Sequence, residues 1–300
     1  MAQQNPEVPG KSRMRVEPFE VNVPQETLDD LRERLGMTRW PDEVSGAGWH
    51  YGANLAYMKE LTEYWRDEFD WRAQEDSINR FSHYRADVNG FGIHFIQERG
   101  KGEDPLPLVL LHGWPSSFVQ MLKIIPLLTD PESHGGDAAD SFDFVVPSLP
   151  TYGFSDRPDE PGMGIRHMAN LFDRLMTKGL GYERYATRAS DLGAGVSQQL
   201  ALAHPDSLTG LHHSGTNPYV GEAPDDLTEA EQEFVANTQR WSAQEMAYAL
   251  QHSSKPQTLA YGLNDSPVGL AAWIVEKTGG GATTAVTWRR RSPKTSCSLS

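Results

Sequence analysis

Residues 106–115 read Leu-Pro-Leu-Val-Leu-Leu-His-Gly-Trp-Pro. The run Leu106–Leu111 has no polar residue, so a strand formed there must be buried on both faces. It ends at His112-Gly113-Trp114-Pro115, where Gly113 permits a tight turn. Working outward, Ile93–Gln97 alternates as a strand upstream. Downstream lie Phe142–Pro147 (FDFVVP), Tyr185–Ala189 and Leu208–His213. Helical patterns at about Phe118–Leu128, Arg166–Gly179 and Leu192–His204 separate them, the last stopped by Pro205. Doubly apolar strands alternating with helices predict an α/β fold, a mostly parallel sheet covered by helices. Function in such sheets sits in loops at the carboxyl ends of strands.

The flanks differ. Residues 1–14 are polar and are expected to be disordered. Pro24 and Glu26 precede Leu28, Leu31 and Leu35, which predicts a helix ending at Gly36. Asn54–Phe69 repeats the helical pattern, and Trp49, Tyr51, Gly46, Gly48 and Gly52 lie between. Residues 15–90 thus read as a meander packing over something else, ahead of a core at 91–220. Leu227–Leu250 is acidic and helical, with a start signal at Thr228–Glu231, so 221–265 reads as a helical lid. Ser266-Pro267 opens a helix to Lys277, the start of a second core segment at 266–277. Residues 278–300 hold Gly279-Gly280-Gly281, Arg289, Arg290, Arg291 and Lys294 and no acid. This tail is expected to be disordered and aberrant, the mark of a shifted reading frame or a truncated gene.

The chain has 300 residues, 38% hydrophobic and 23% charged, which excludes collagen-like, coiled-coil and wholly disordered classes. Its formal net charge of −14 argues against wrapping nucleic acid or an anionic membrane. A single cysteine, Cys297, excludes an internal disulfide framework and a multi-cysteine zinc site. No run is long enough to span a membrane, and the first residues lack a signal peptide's apolar stretch, so a cytoplasmic location is expected. Nothing in the sequence points to a particular oligomeric state.

Three strand-end loops carry chemistry. In His112-Gly113-Trp114-Pro115, backbone N–H groups can be aimed at a developing oxyanion; an ordinary strand-to-helix turn is the plain alternative. Pro150-Thr151-Tyr152-Gly153-Phe154-Ser155 alone is a Gly/Ser loop. Ala189-Ser190-Asp191-Leu192-Gly193-Ala194 has the small residues required where a sharp strand–turn–helix elbow brings backbones into contact. Asp191 holds the elbow position, and Ser190 is one place early. An Asp before a helix is, taken alone, more commonly an N-cap.

The three loops in this order resemble the α/β-hydrolase fold, and more narrowly the microsomal-type epoxide hydrolase family. That family has HGWP at the oxyanion loop, an Asp at the elbow and an N-terminal meander. Asn264–Ile274 (NDSPVGLAAWI) also resembles its sequence near the end of the lid, and the likeness spans roughly residues 15–277. It implies a cofactor-independent, metal-free enzyme opening a small hydrophobic epoxide to a diol, as in detoxification. Asp191 would be the nucleophile, with backbone N–H groups of Trp114 and Leu192 holding the oxyanion. The family usually has Trp where Leu192 stands, but only the backbone N–H is needed. Tyr248 falls on one of two ring-opening tyrosines, and a helix-face tyrosine packing on the core is the equal alternative.

The chemistry suits a carboxylate. Serine attack on an alkyl carbon leaves an ether, whereas a carboxylate leaves an ester that water can cleave. The resemblance also implies an acid and a histidine on strands after the lid. His204, His212, His213 and His252 do not lie there and read as structural. The expectation is an epoxide hydrolase impaired by loss of that acid and histidine. The alternatives are another Asp-nucleophile hydrolase, such as a haloalkane dehalogenase, and a non-catalytic truncated homologue.

Overall fold

The structure is a computed structural model and describes residues 14–214 and 226–280. The expectations of disorder at residues 1–14 and 278–300 lie outside the described residues, except at Met14 and at 278–280. At 278–280 the helix Pro267–Gly280 runs past the expected break. The stretch 215–225 also lies outside the described residues.

Seven strands form one sheet: β1 (Val16–Pro18), β2 (His83–Val88), β3 (Phe91–Glu98), β4 (Leu106–Leu111), β5 (Phe142–Pro147), β6 (Tyr185–Ser190) and β7 (Leu208–Ser214), in the order β1-β2-β3-β5-β4-β6-β7. The sheet is mixed. The β4–β5, β4–β6 and β6–β7 pairs are parallel, which is the part the apolar runs predict, and β1–β2, β2–β3 and β3–β5 are antiparallel. After β4 the chain steps to one side for β5, then to the other for β6. The carboxyl end of β4 is therefore a topological switch point, where open α/β sheets place their crevice.

The core lies on the central strands. Val109, Leu110 and Leu111 of β4, and Phe144, Val145 and Val146 of β5, are at most 1% exposed. Burying each such side chain contributes about 1.5–3 kcal/mol. Helices α5 (Ile165–Arg174) and α6 (Leu192–Ala203) pack against them through Ala169, Phe172, Val196 and Leu200.

The helix expected at Phe118–Leu128 is two pieces, a 3₁₀ turn at Phe118–Met121 and a short α4 (Ile125–Thr129). Pro126 has no N–H to continue the first piece and sits in the opening turn of the second. Likewise, the helix expected over Leu227–Leu250 is α7 (Glu229–Glu245) and α8 (Ala247–Ser254), with Met246 between them. The Thr228–Glu231 capping box forms as the residues suggest.

Residues 14–22 and 72–214 make one compact unit, and residues 23–71 and 226–280 make a second. In the second, Leu35 of α1 (Gln25–Gly36) and Met58 and Leu61 of α2 (Leu55–Asp67) pack with Val268 of α10 (Pro267–Gly280). The Asn54 side chain caps α2 by accepting from the Tyr57 amide at 3.0 Å. The remaining helices are α3 (Trp71–Ile78) and α9 (Pro256–Asp265). No described helix is long and apolar enough to cross a membrane.

Candidate active site

Asp191 links β6 to α6. Its backbone is at φ 53°, ψ −129°, a conformation that L-residues rarely adopt and that costs on the order of 1–3 kcal/mol. Its side chain makes no cap bond to α6, so the N-cap reading does not hold. The carboxylate instead turns towards β4, and its Oδ1 accepts from the Trp114 amide at 2.9 Å.

Two glycines make this close approach possible. A Cβ at Gly113 would overlap Oδ1, Cβ and Cγ of Asp191. A Cβ at Gly193 would overlap the carbonyls of Leu111 and His112, so α6 could not start so near β4. The small residues of the elbow thus serve two different contacts. Leu192 opens α6 with its side chain 41% exposed, and its amide is not bonded to Asp191 in this arrangement.

His112 is fully buried beneath this loop. Its Nε2 accepts from the Leu149 amide at 3.2 Å, so the hydrogen belongs on Nδ1, which faces the Gly113 carbonyl at 3.5 Å. Burial lowers its pKa to about 4, so the ring is neutral at neutral pH. Pro115 follows Trp114 through a cis peptide bond.

Tyr152, from the loop that alone looked like a plain Gly/Ser turn, sets its ring edge against His112, with centroids 5.2 Å apart. Burial and the Asp191 charge push its phenol up to about 12, so it stays protonated. Thr151 beside it has φ 76°; Thr151, Asp191 and Asn89 are the non-glycine residues with positive φ among those described. A non-glycine residue at positive φ cannot be read from composition.

The structure thus brings His112, Gly113, Trp114 and Asp191 together. Tyr248 lies in the helical unit, on α8, with the Lys277 ammonium 5.2 Å from its ring centroid and His252 one turn away. His252 accepts from the Trp273 indole at 3.0 Å. His204 bonds Asn170 at 2.8 Å, and His212 and His213 lie on β7. No group of three or more His, Cys, Asp or Glu among the described residues is placed to hold a metal.

A mixed sheet with a strained carboxylate at the switch point, held by an amide of the neighbouring strand-end loop, defines an α/β-hydrolase. Residues 107–269 match the α/β-hydrolase fold family, and residues 16–121 match the family described as epoxide hydrolase N terminus. A putative epoxide hydrolase of Stigmatella aurantiaca is 44% identical over 263 residues, which cover 87% of this chain and 60% of that protein. Epoxide hydrolase 1 of Oryctolagus cuniculus is 36% identical, with 87% and 62% covered. The solved Aspergillus niger epoxide hydrolase superposes with a TM-score of 0.77 at 32% identity, covering 90% of this chain and 71% of that one. The chain belongs to the epoxide hydrolase family of α/β-hydrolases. It spans about 60% of the length of these curated relatives.

Proposed function

We propose that the protein opens a small hydrophobic epoxide through an ester on Asp191. The observation that carries this reading is the Trp114 amide on Oδ1, which distinguishes the two carboxylate oxygens. Oδ2 attacks a ring carbon, the Oδ2–C bond forms and the C–O bond of the epoxide breaks. The departing alkoxide takes a proton from the Tyr248 phenol, whose α8 belongs to the helical lid. Oδ1 becomes the ester carbonyl oxygen. When water attacks the ester carbon, Oδ1 bears the negative charge, with the Trp114 and Leu192 amides as donors. Collapse breaks the bond from the acyl carbon to Oδ2, which leaves with the diol. Of the water's two protons one goes to that oxygen and the other returns to Tyr248, and the water oxygen completes the restored carboxylate. The match of residues 16–121 to the epoxide hydrolase N terminus supports an epoxide over a haloalkane.

Ester cleavage needs a base to activate water. Among the described residues no histidine bonds Asp191, and the buried His112 is engaged by the Leu149 amide. The reading turns on the ester at Asp191. Incubation with styrene oxide tests this by intact mass and peptide mapping. One equivalent of adduct on Asp191, absent in Asp191→Asn and slowed about 10²-fold in Tyr248→Phe, is expected. Wild-type protein left unmodified, with no diol formed, overturns the nucleophile assignment.

A further inference from the structure

Two histidines that the mechanism does not use lie buried between β2 and β3. His83 is 4% exposed and His94 is fully buried, their rings stacked with centroids 5.2 Å apart. His83 Nε2 lies 2.9 Å from the Ile78 carbonyl, which can only accept, so Nε2 carries the hydrogen. In the neutral ring, Nδ1 is then an acceptor, and it lies 2.9 Å from His94 Nε2, which must donate. His94 Nδ1 in turn accepts from the Ser148 hydroxyl at 2.8 Å. One carbonyl thus sets both tautomers and the direction of the whole relay.

The relay ends on the loop that carries Tyr152. The Ser148 amide donates to the His94 carbonyl at 2.9 Å, and the His94 amide donates to Ser155 Oγ at 3.0 Å. Ser155 Oγ donates to the Ser148 carbonyl at 2.8 Å. The next amide along, Leu149, donates to His112, one residue before Gly113 and two before Trp114.

We infer that His83 and His94 are positioning residues for the nucleophile's cradle: their one-way relay fixes Ser148, and through Leu149 and His112 it sets where the Trp114 amide meets Asp191. The inference rests on Asp191 being the nucleophile. A proton added to His83 Nδ1 would face the hydrogen on His94 Nε2, so His94 would have to move its hydrogen to Nδ1 and Ser148 turn its hydroxyl to accept it. Arg85 of β2, ion-paired with Asp156 of the loop, is the charge acting on His94, and Glu98 of β3 acts on His83. The other groups around the pair are the Ile78 carbonyl from α3 and the rings of Phe19, Phe118 and Phe154. Burial first, then His83 and Arg85, lower His94 to about 3, and burial lowers His83 as well.

The test uses the 300-residue chain labelled with ¹⁵N, as wild type and Ser148→Ala. Imidazole ¹⁵N shifts report tautomers from pH 8 to 5, the Trp114 amide resonance reports the cradle, and intact mass reports styrene oxide alkylation. In the wild type both rings are expected as the Nε2–H tautomer, with no titration of His94 in that range. In Ser148→Ala the Trp114 amide shifts, His94 begins to titrate at higher pH, and alkylation slows about tenfold. An Nδ1–H tautomer on either ring, or titration of His94 near 6.5, overturns the relay without any variant. A wild-type Trp114 resonance in Ser148→Ala overturns the coupling. If wild-type protein is never alkylated, the nucleophile assignment fails, and the relay stands or falls on the two resonance readouts.

Discussion

The Trp114 amide meets Oδ1 of Asp191 at 2.9 Å across 77 positions of sequence. The contact is possible because Gly113 leaves empty the space its own Cβ would fill.

Gly113→Ala tests that space directly. The three atoms the added methyl would meet first all belong to the Asp191 side chain, so the carboxylate is what must move. Asp191 alkylation is expected to fall on the order of 10²-fold, with the thermal midpoint changed little. Adduct formation by mass and a melting curve on the same sample check both halves.

Gly193→Ala should do the opposite. Here the overlap is with backbone carbonyls of Leu111 and His112, which β4 holds in register with β5 and β6. Stability is expected to drop by about 1–3 kcal/mol in urea unfolding. An unchanged midpoint would show that α6 shifts freely.

Asp191 stores backbone strain at φ 53°. Asp191→Gly relieves it and is expected to gain about 1 kcal/mol of stability while abolishing the adduct. Unfolding curves that coincide with wild type would mean the elbow carries no such strain.

Acid should unfold the protein through its buried rings. His94 and His112 are lowered to about 3 and about 4, so below pH 6.5 the unfolded chain binds protons that the folded chain does not. Stability from these groups is fully present above 6.5 and is lost as pH falls towards those values, by up to about 1.4 kcal/mol per pH unit for each ring. His94→Gln removes one of them, and urea midpoints at pH 7 and pH 5 should then lie closer together than in the wild type.

The strands β4 and β5 were legible because Leu106–Leu111 and Phe144–Pro147 are apolar throughout, whereas β6 (YATRAS) and the largely exposed β7 (LTGLHHS) could be read only from their places between helical patterns. β2 was not legible, since its His83 and Arg85 look like surface residues until His94 and Asp156 are brought beside them. The elbow could be read from its small residues, but the distinct tasks of Gly113 and Gly193 could not, because each faces a segment about 80 positions away. The break before α4 was readable at Pro126. Tyr152 gave no local signal, as its role comes from His112 and Asp191, contributed by two other strands.

The reversal of strand order around β4 also has a bearing on synthesis. A nascent chain that has emerged only through β5 can pair β4 with β5, yet its His112–Pro115 loop has no carboxylate to receive. Only when β6 docks on the other flank of β4 does Asp191 arrive. Closing that span is the slower kind of folding step, one that joins segments far apart along the chain. A ribosome-bound intermediate stopped before β6 would therefore hold the receiving loop with no carboxylate beside it, so the cradle is synthesised before the group it orients.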